Sequence, residues 1–154
     1  MASTVWLTPA EQAAWRQFIS TLPDLMAALE TDLAPHGLTN GDYEVLVRLS
    51  EADDHRLRMC DLADALRLSP SGLTRRLDGL VKMGWVARAA CDTDRRVMYA
   101  HLTPAGRAKL RSAAPDHVDS VRRHLIEPLG PRGVQQLGAI FTQVRHHLYE
   151  QESA

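Results

Sequence analysis

Two short helical periods divided at Leu68-Ser69-Pro70, then two short strand-like runs around a polar turn, constrain this chain more than any other feature. Ser69 is a strong N-cap, and Pro70 suits the first helical position, where its missing amide hydrogen would have no partner anyway. The break joins a short helix over about residues 61–66, with Leu62, Ala63 and Leu66 inward, to a second helix that ends at Gly84. Residues 85–90 and 97–102 read as two short strands. Between them lies Cys91-Asp92-Thr93-Asp94-Arg95-Arg96, a polar turn with arginine near its tip.

The flanks are helical. Thr8-Pro9-Ala10-Glu11 has the form of a capping box. Behind it, Ile19, Leu22, Met26, Leu29 and Leu33 recur at spacings of three and four, an apolar stripe that Pro23 is expected to kink or divide. Pro35-His36-Gly37 ends that helix. A second helix is expected over about 41–49, capped near Thr39, with Tyr43, Leu46 and Leu49 on its apolar side, and 51–55 as a polar connection. Thr103-Pro104 starts a long helix, bent near Pro115 and broken at Pro128-Leu129-Gly130-Pro131. A last helix carries Val134, Leu137, Ile140, Phe141, Val144 and Leu148. The expected fold is mainly α with a small β-hairpin. A winged helix-turn-helix lobe covers 38–103, and 1–37 with 104–154 form a helical dimerisation region. The apolar stripes of the terminal helices exceed what one small lobe can bury, so a homodimer is expected.

Charge is unevenly distributed. The whole chain has 18 Lys and Arg against 19 Asp and Glu, which excludes a uniformly basic nucleic-acid glove. From Arg56 to Arg96, however, nine basic residues stand against five acidic ones, a net of +4, and the remainder carries −5. A basic middle between acidic ends fits one surface facing phosphate, although a salt-bridged surface would give the same count.

With Leu73, Leu77 and Leu80 as the buried stripe at 100° per residue, the opposite side of the second helix shows Ser71, Arg75, Asp78 and Lys82, flanked by Thr74. A major groove about 12 Å wide admits one helix, and arginine there can bridge guanine O6 and N7. Ser69, Ser71 and Thr74 lie at the helix N-terminus, where hydroxyls, free amides and the dipole suit phosphate. Arginine at the hairpin tip suits the narrow minor groove. Asp94 is expected to accept a hydrogen bond from Arg96 and hold its guanidinium extended. A solvated amphipathic helix and a plain turn are the bland alternatives.

At this point the chain resembles the MarR (multiple-antibiotic-resistance regulator) family of bacterial transcription factors. The resemblance rests on Asp42-Tyr43-Glu44-Val45-Leu46, Leu57-Arg58-Met59-Cys60-Asp61-Leu62-Ala63, Leu68-Ser69-Pro70-Ser71-Gly72-Leu73-Thr74-Arg75, Gly84-Trp85-Val86-Ala87-Arg88, Asp94-Arg95-Arg96 and Leu102-Thr103-Pro104-Ala105-Gly106. It covers nearly the whole chain in the family's order. It implies a cytoplasmic homodimer joined by the first and last two helices, bound to double-stranded DNA at a pseudo-palindromic operator, and acting as a repressor. Ser69, Ser71, Thr74 and Arg75 would enter the major groove; Asp94, Arg95 and Arg96 would serve the minor groove. Two residues depart from the family pattern. Arg76 replaces an apolar residue and is expected at the boundary of the helix, reaching phosphate, and Lys82 is expected among the DNA-binding residues. Gly79 stands where arginine is common, at about 1 kcal/mol of helix propensity relative to alanine.

The resemblance also implies an effector cleft for small aromatic or phenolic ligands, to which Trp15, Phe18, His36 and Tyr43 would contribute aromatic walls and a polar tip. Simple core packing is the alternative for Trp15, Phe18 and Tyr43, and the preferred one. Peroxide-sensing members carry a reactive cysteine in the first helix, and this first helix has none. Cys60 falls where serine or threonine often caps the third helix, and Cys91 lies at the hairpin. Neither forms a CxxC pair, and the seven histidines lack metal-ligand spacing, so no metal or cofactor is expected. No nucleophile turn, phosphate-cradling glycine loop or paired-carboxylate signature indicates an enzyme. The alternative function is a winged-helix module for protein contact, without specific DNA binding.

Overall fold

The computed structural model describes residues 5–91, 93–94 and 96–152. The chain divides into two compact units. One comprises 1–28 with 118–154, the other 29–117.

The central unit begins with the last turn of α1 (Pro9–Leu33). There Leu33 joins the core, and Gly37 ends a short 3-10 turn in the left-handed conformation. Helix α2 (Asn40–Glu51) starts at a complete capping box. Thr39 Oγ1 accepts from the Asp42 amide at 3.1 Å, and Asp42 Oδ2 accepts from the Thr39 amide at 3.1 Å. The connection after it holds a 3-10 turn at Asp53–His55 and then strand β1 (Arg56–Arg58). Helix α3 (Met59–Ala65) and helix α4 (Pro70–Lys82) form the tight helical pair. In the turn between them Arg67 adopts φ 54°, while the Leu68 amide reaches the Ala63 carbonyl and the Arg67 amide reaches that of Asp64. This is a Schellman closure with arginine where glycine is usual.

Strands β2 (Val86–Ala90) and β3 (Met98–Leu102) form the hairpin, with Val86 opposite Leu102 and Ala90 opposite Met98. The sheet has a third member. β1 pairs antiparallel with β3 on its other edge, Leu57 facing Ala100. Its core combines Leu46 and Leu49 of α2, Leu62 of α3, Leu73, Leu77 and Leu80 of α4, and Val86 and Ala100 of the sheet, all 0–2% exposed. Each such leucine contributes about 1.5–3 kcal/mol by leaving water.

Helix α5 (Pro104–Val121) starts hard against the end of α4 and the hairpin. Thr103 Oγ1 donates to the Gly84 carbonyl at 2.7 Å and accepts from the Gly106 amide at 3.0 Å. A Cβ on Gly106 would overlap the Trp85 carbonyl, so only glycine permits this approach. Pro115 lies inside α5 without ending it.

In the terminal unit, Thr8 and Glu11 close the capping box of α1. The Thr8 amide donates to Glu11 Oε2 at 2.7 Å, which holds the Glu11 carboxyl below its ordinary pKa. Pro23 does not divide α1, which stays helical from Pro9 to Leu33. A π-helical turn at Arg122–Ile126 leads from α5 into α6 (Glu127–Glu152). The break expected around Pro128–Pro131 is present as a kink at Gly130, with φ 64° and ψ 175°. Phe18 of α1 meets Phe141 of α6 with ring centroids 5.8 Å apart, and Trp15 lies 6.1 Å from Phe18. Among the described residues, no helix is long and apolar enough to cross a membrane.

Candidate nucleic-acid interface

Helix α4 begins as the sequence predicts. Ser69 is its N-cap, its Oγ accepting from the Gly72 amide at 3.1 Å, and Pro70 occupies the first turn. Ser69 and Ser71 hydroxyls lie 3.2 Å apart, so two hydroxyls stand at the helix's positive end. Leu73, Leu77 and Leu80 are buried, while Ser71, Thr74, Arg75, Asp78 and Lys82 are exposed, as the 100° wheel requires. Thr74 returns its hydroxyl to the Pro70 carbonyl at 2.9 Å. No intramolecular hydrogen bond or ion pair is found for the Arg75 and Lys82 side chains among the described residues.

Arg76 is placed differently. Its guanidinium turns from the outer face to the N-terminus of α2, donating from Nη1 to Thr39 Oγ1 at 3.1 Å. The same nitrogen stands 3.6 Å from Asp42 Oδ1.

At the hairpin, Asp94 Oδ1 accepts from the backbone amide of Arg96 at 3.0 Å, so the bond expected with the Arg96 guanidinium goes to the main chain. The Val97 amide reaches the Asp94 carbonyl at 2.9 Å, and the Cys91 amide reaches the Val97 carbonyl at 2.8 Å. Asp94 thus shapes the turn, the usual work of an Asx side chain. Arg95 lies outside the described residues.

One cleft joins the three parts. Arg58, Met59 and Cys60 of β1 and α3, Thr74 of α4, Arg88 of β2, and Arg96, Val97 and Met98 of the hairpin line it. Two of these arginines escaped the sequence reading as site residues. Arg88 Nη2 donates to the Thr74 carbonyl and to Asp78 Oδ1, both at 2.9 Å, which braces α4 against the hairpin. Arg58 Nε donates to Tyr99 Oη at 3.4 Å, and Arg56 stacks over the Tyr99 ring at 5.3 Å. Both depend on β1, whose three residues are too few to show a period. Cys60 is exposed and does not cap α3. The helix begins one residue earlier at Met59, and the Cys60 thiol lies 3.4 Å from Asp61 Oδ1. Cys91 Sγ is 3.2 Å from Thr93 Oγ1.

The four residues expected around an effector fall into two groups. Trp15 and Phe18 belong to the terminal unit, beside Phe141. His36 and Tyr43 belong to the central unit, where both meet the C-terminal part of α5. His36 Nε2 is 2.7 Å from Asp116 Oδ2, and Tyr43 stacks on His117 with centroids 4.2 Å apart. Burial lowers the His117 pKa and raises that of Tyr43.

A helix pair joined by a tight turn, a three-stranded sheet with a protruding hairpin, and hydroxyl and arginine groups on the outer helix define a winged helix-turn-helix protein. A profile of the MarR family matches residues 38–98. The HTH-type transcriptional repressor YetL of Bacillus subtilis is 30% identical over 119 residues, 75% of this chain and 71% of that protein. The crystal structure of AbsC, a MarR family transcriptional regulator from Streptomyces coelicolor, superposes with a TM-score of 0.89 at 42% identity, over 96% of this chain and 99% of that one. Sco3205 of the same organism and family, crystallised in complex with DNA, gives a TM-score of 0.89 at 37% identity, over 95% and 92% of the two chains. This chain belongs to the MarR family.

Proposed function

We infer that this protein is a sequence-specific DNA-binding transcriptional regulator, acting as a homodimer on a pseudo-palindromic operator and repressing from it. The observation that carries this reading is the outward surface of α4. Ser71, Thr74 and Arg75 are exposed there beside the Ser69 cap, and Arg75 has no intramolecular hydrogen bond or ion pair among the described residues. Arginine so presented suits a guanine edge, and Arg96 on the hairpin suits a minor groove. Lys82 at the end of α4 would meet phosphate, and Arg95 would act with Arg96. Complex formation with DNA by the similar Sco3205 supports the same partner here. The reading assigns 38–103 to DNA and 1–37 with 104–154 to dimerisation. Its support is the row of half-exposed Trp15, Phe18, Ile19 and Leu22 on α1, and Ile140, Phe141, Val144 and Leu148 on α6, 42–58% exposed. A second copy would cover such surfaces. Release by a small aromatic ligand completes the reading, with His36 and Tyr43 as its polar and aromatic contacts. No catalytic step is part of it.

The test is selection of bound duplexes from a random library, followed by footprinting and sedimentation of the complex. The expected result is an inverted repeat whose half-sites lie about one helical turn apart, bound by a dimer. Absence of any enriched sequence would overturn this reading in favour of protein contact, and full affinity for a single half-site would overturn its dimeric, two-half-site form.

A further inference from the structure

Arg75 and Arg76 are adjacent in sequence and opposite in use. Arg75 faces outward, whereas Arg76 crosses to α2 and binds Thr39 and Asp42, the two residues that form the α2 capping box. The Arg76 side chain is 33% exposed and that of Asp42 22%, so this contact is partly shielded. Gly41 makes the space. A Cβ there would overlap the guanidinium carbon and both terminal nitrogens of Arg76. A cation beside a helix N-terminus is disfavoured by the helix dipole, and the Asp42 carboxylate in the first turn offsets that cost. Arg88 holds α4 from the hairpin side through the Thr74 carbonyl and Asp78. The helix that presents Arg75 is therefore tied on two sides by arginines that face the protein.

We propose that Arg76, seated in the space Gly41 leaves, is a positioning residue for operator recognition, setting the placement of α4 on α2 and hence the aim of Arg75. It makes no phosphate contact of its own. The proposal rests on the DNA-binding reading above. Two-bond contacts to a base edge require the supporting shell to hold within about 0.5 Å, whereas non-specific attraction to phosphate has no such demand. Loss of the tether therefore removes discrimination and leaves bulk electrostatics in place.

The experiment compares wild type, Gly41→Ala, Arg76→Met and the double variant as full chains. Gly41→Ala keeps every charge and occupies the place of the guanidinium. Binding to the selected operator and to a random duplex is measured across a salt series, and melting is measured without DNA. Either single change should weaken operator binding by roughly fivefold or more, with random-duplex affinity and the salt slope unchanged. The double variant should match Arg76→Met alone, since the two changes break one contact. Gly41→Ala should raise the melting temperature by more in the Arg76→Met background than in wild type, because only in wild type must the guanidinium give way to the methyl group. The proposal is overturned if Arg76→Met weakens both duplexes alike and flattens the salt slope by about two units, the mark of one lost phosphate contact per protomer. Additive effects of Gly41→Ala and Arg76→Met, or unchanged operator binding in both, overturn it equally. A wild-type protein that prefers no duplex would instead refute the DNA reading and the positioning role with it, while the melting cycle would still report the tether.

Discussion

Replacing Asp94 by alanine sets two effects of opposite sign against each other. Deleting a carboxylate near DNA removes a repulsion. At about 8–10 Å from a phosphate this is worth about 0.4–0.5 kcal/mol in bulk water, and about a third of that at physiological salt. The same change removes the bond from the Arg96 amide to Asp94 Oδ1 at 3.0 Å, which closes the hairpin turn. At an exposed position that bond contributes about 0.5–1 kcal/mol to the order of the tip. The loss outweighs the gain, leaving about 0.3–0.8 kcal/mol per hairpin. Over the two hairpins of a dimer this is a roughly 3- to 15-fold weaker operator complex. No phosphate-neutralising cation is removed, so the slope of log affinity against log salt should not flatten; it should steepen slightly, because the repulsion that is lost is strongest at low salt. Asp94→Asn separates the effects, because its carbonyl oxygen still accepts the Arg96 amide while the charge is gone. It should bind as tightly as wild type, or slightly more so. Fluorescence anisotropy on the operator from low to moderate salt reads all three proteins. If Asp94→Ala binds more tightly, most of all at low salt, the turn-shaping argument is wrong and the hairpin is only a charged loop near phosphate.

The other predictions address the base contact, the packing and the pH response. Arg75→Ala should cost about 1–3 kcal/mol on the operator and relax preference at one base pair per half-site, whereas Arg96→Ala should flatten the salt slope and weaken any preference for A·T-rich flanks; both are read by competition binding. Gly106→Ala forces a methyl against the Trp85 carbonyl and should destabilise by about 1–3 kcal/mol in urea unfolding; wild-type stability would show that α5 can shift freely. Burial lowers the His117 pKa from its ordinary 6.5, so the folded protein binds fewer protons there than the unfolded chain. That part of the stability is present above 6.5 and is lost as pH falls through the lowered value. His117→Phe should remove it, and an unchanged pH dependence in urea unfolding would refute the assignment.

What the sequence determined by itself was everything governed by near neighbours along the chain. The Thr8–Glu11 and Thr39 caps, the Ser69-Pro70 start of α4, its buried Leu73, Leu77 and Leu80, the hairpin around 91–96 and the break at Gly130 all follow from rules spanning a few residues. The outward placement of Ser71, Thr74 and Arg75 follows too, because 100° per residue settles it once the leucines are inward. Tertiary structure alone decided what depends on distant segments. Strand β1 has only three residues and exists because β3 offers an edge some forty positions away. Arg76 looks like a phosphate contact on a helical wheel, yet an acceptor thirty-seven residues upstream and the bare Gly41 draw it inward. Arg88 became a brace because β2 brings it beside the Thr74 carbonyl, and His36 met Asp116 across eighty residues. Arginine can satisfy its five donors on DNA, on water or on its own protein, and helical periodicity is the same in every case. Only the packed neighbours choose among them.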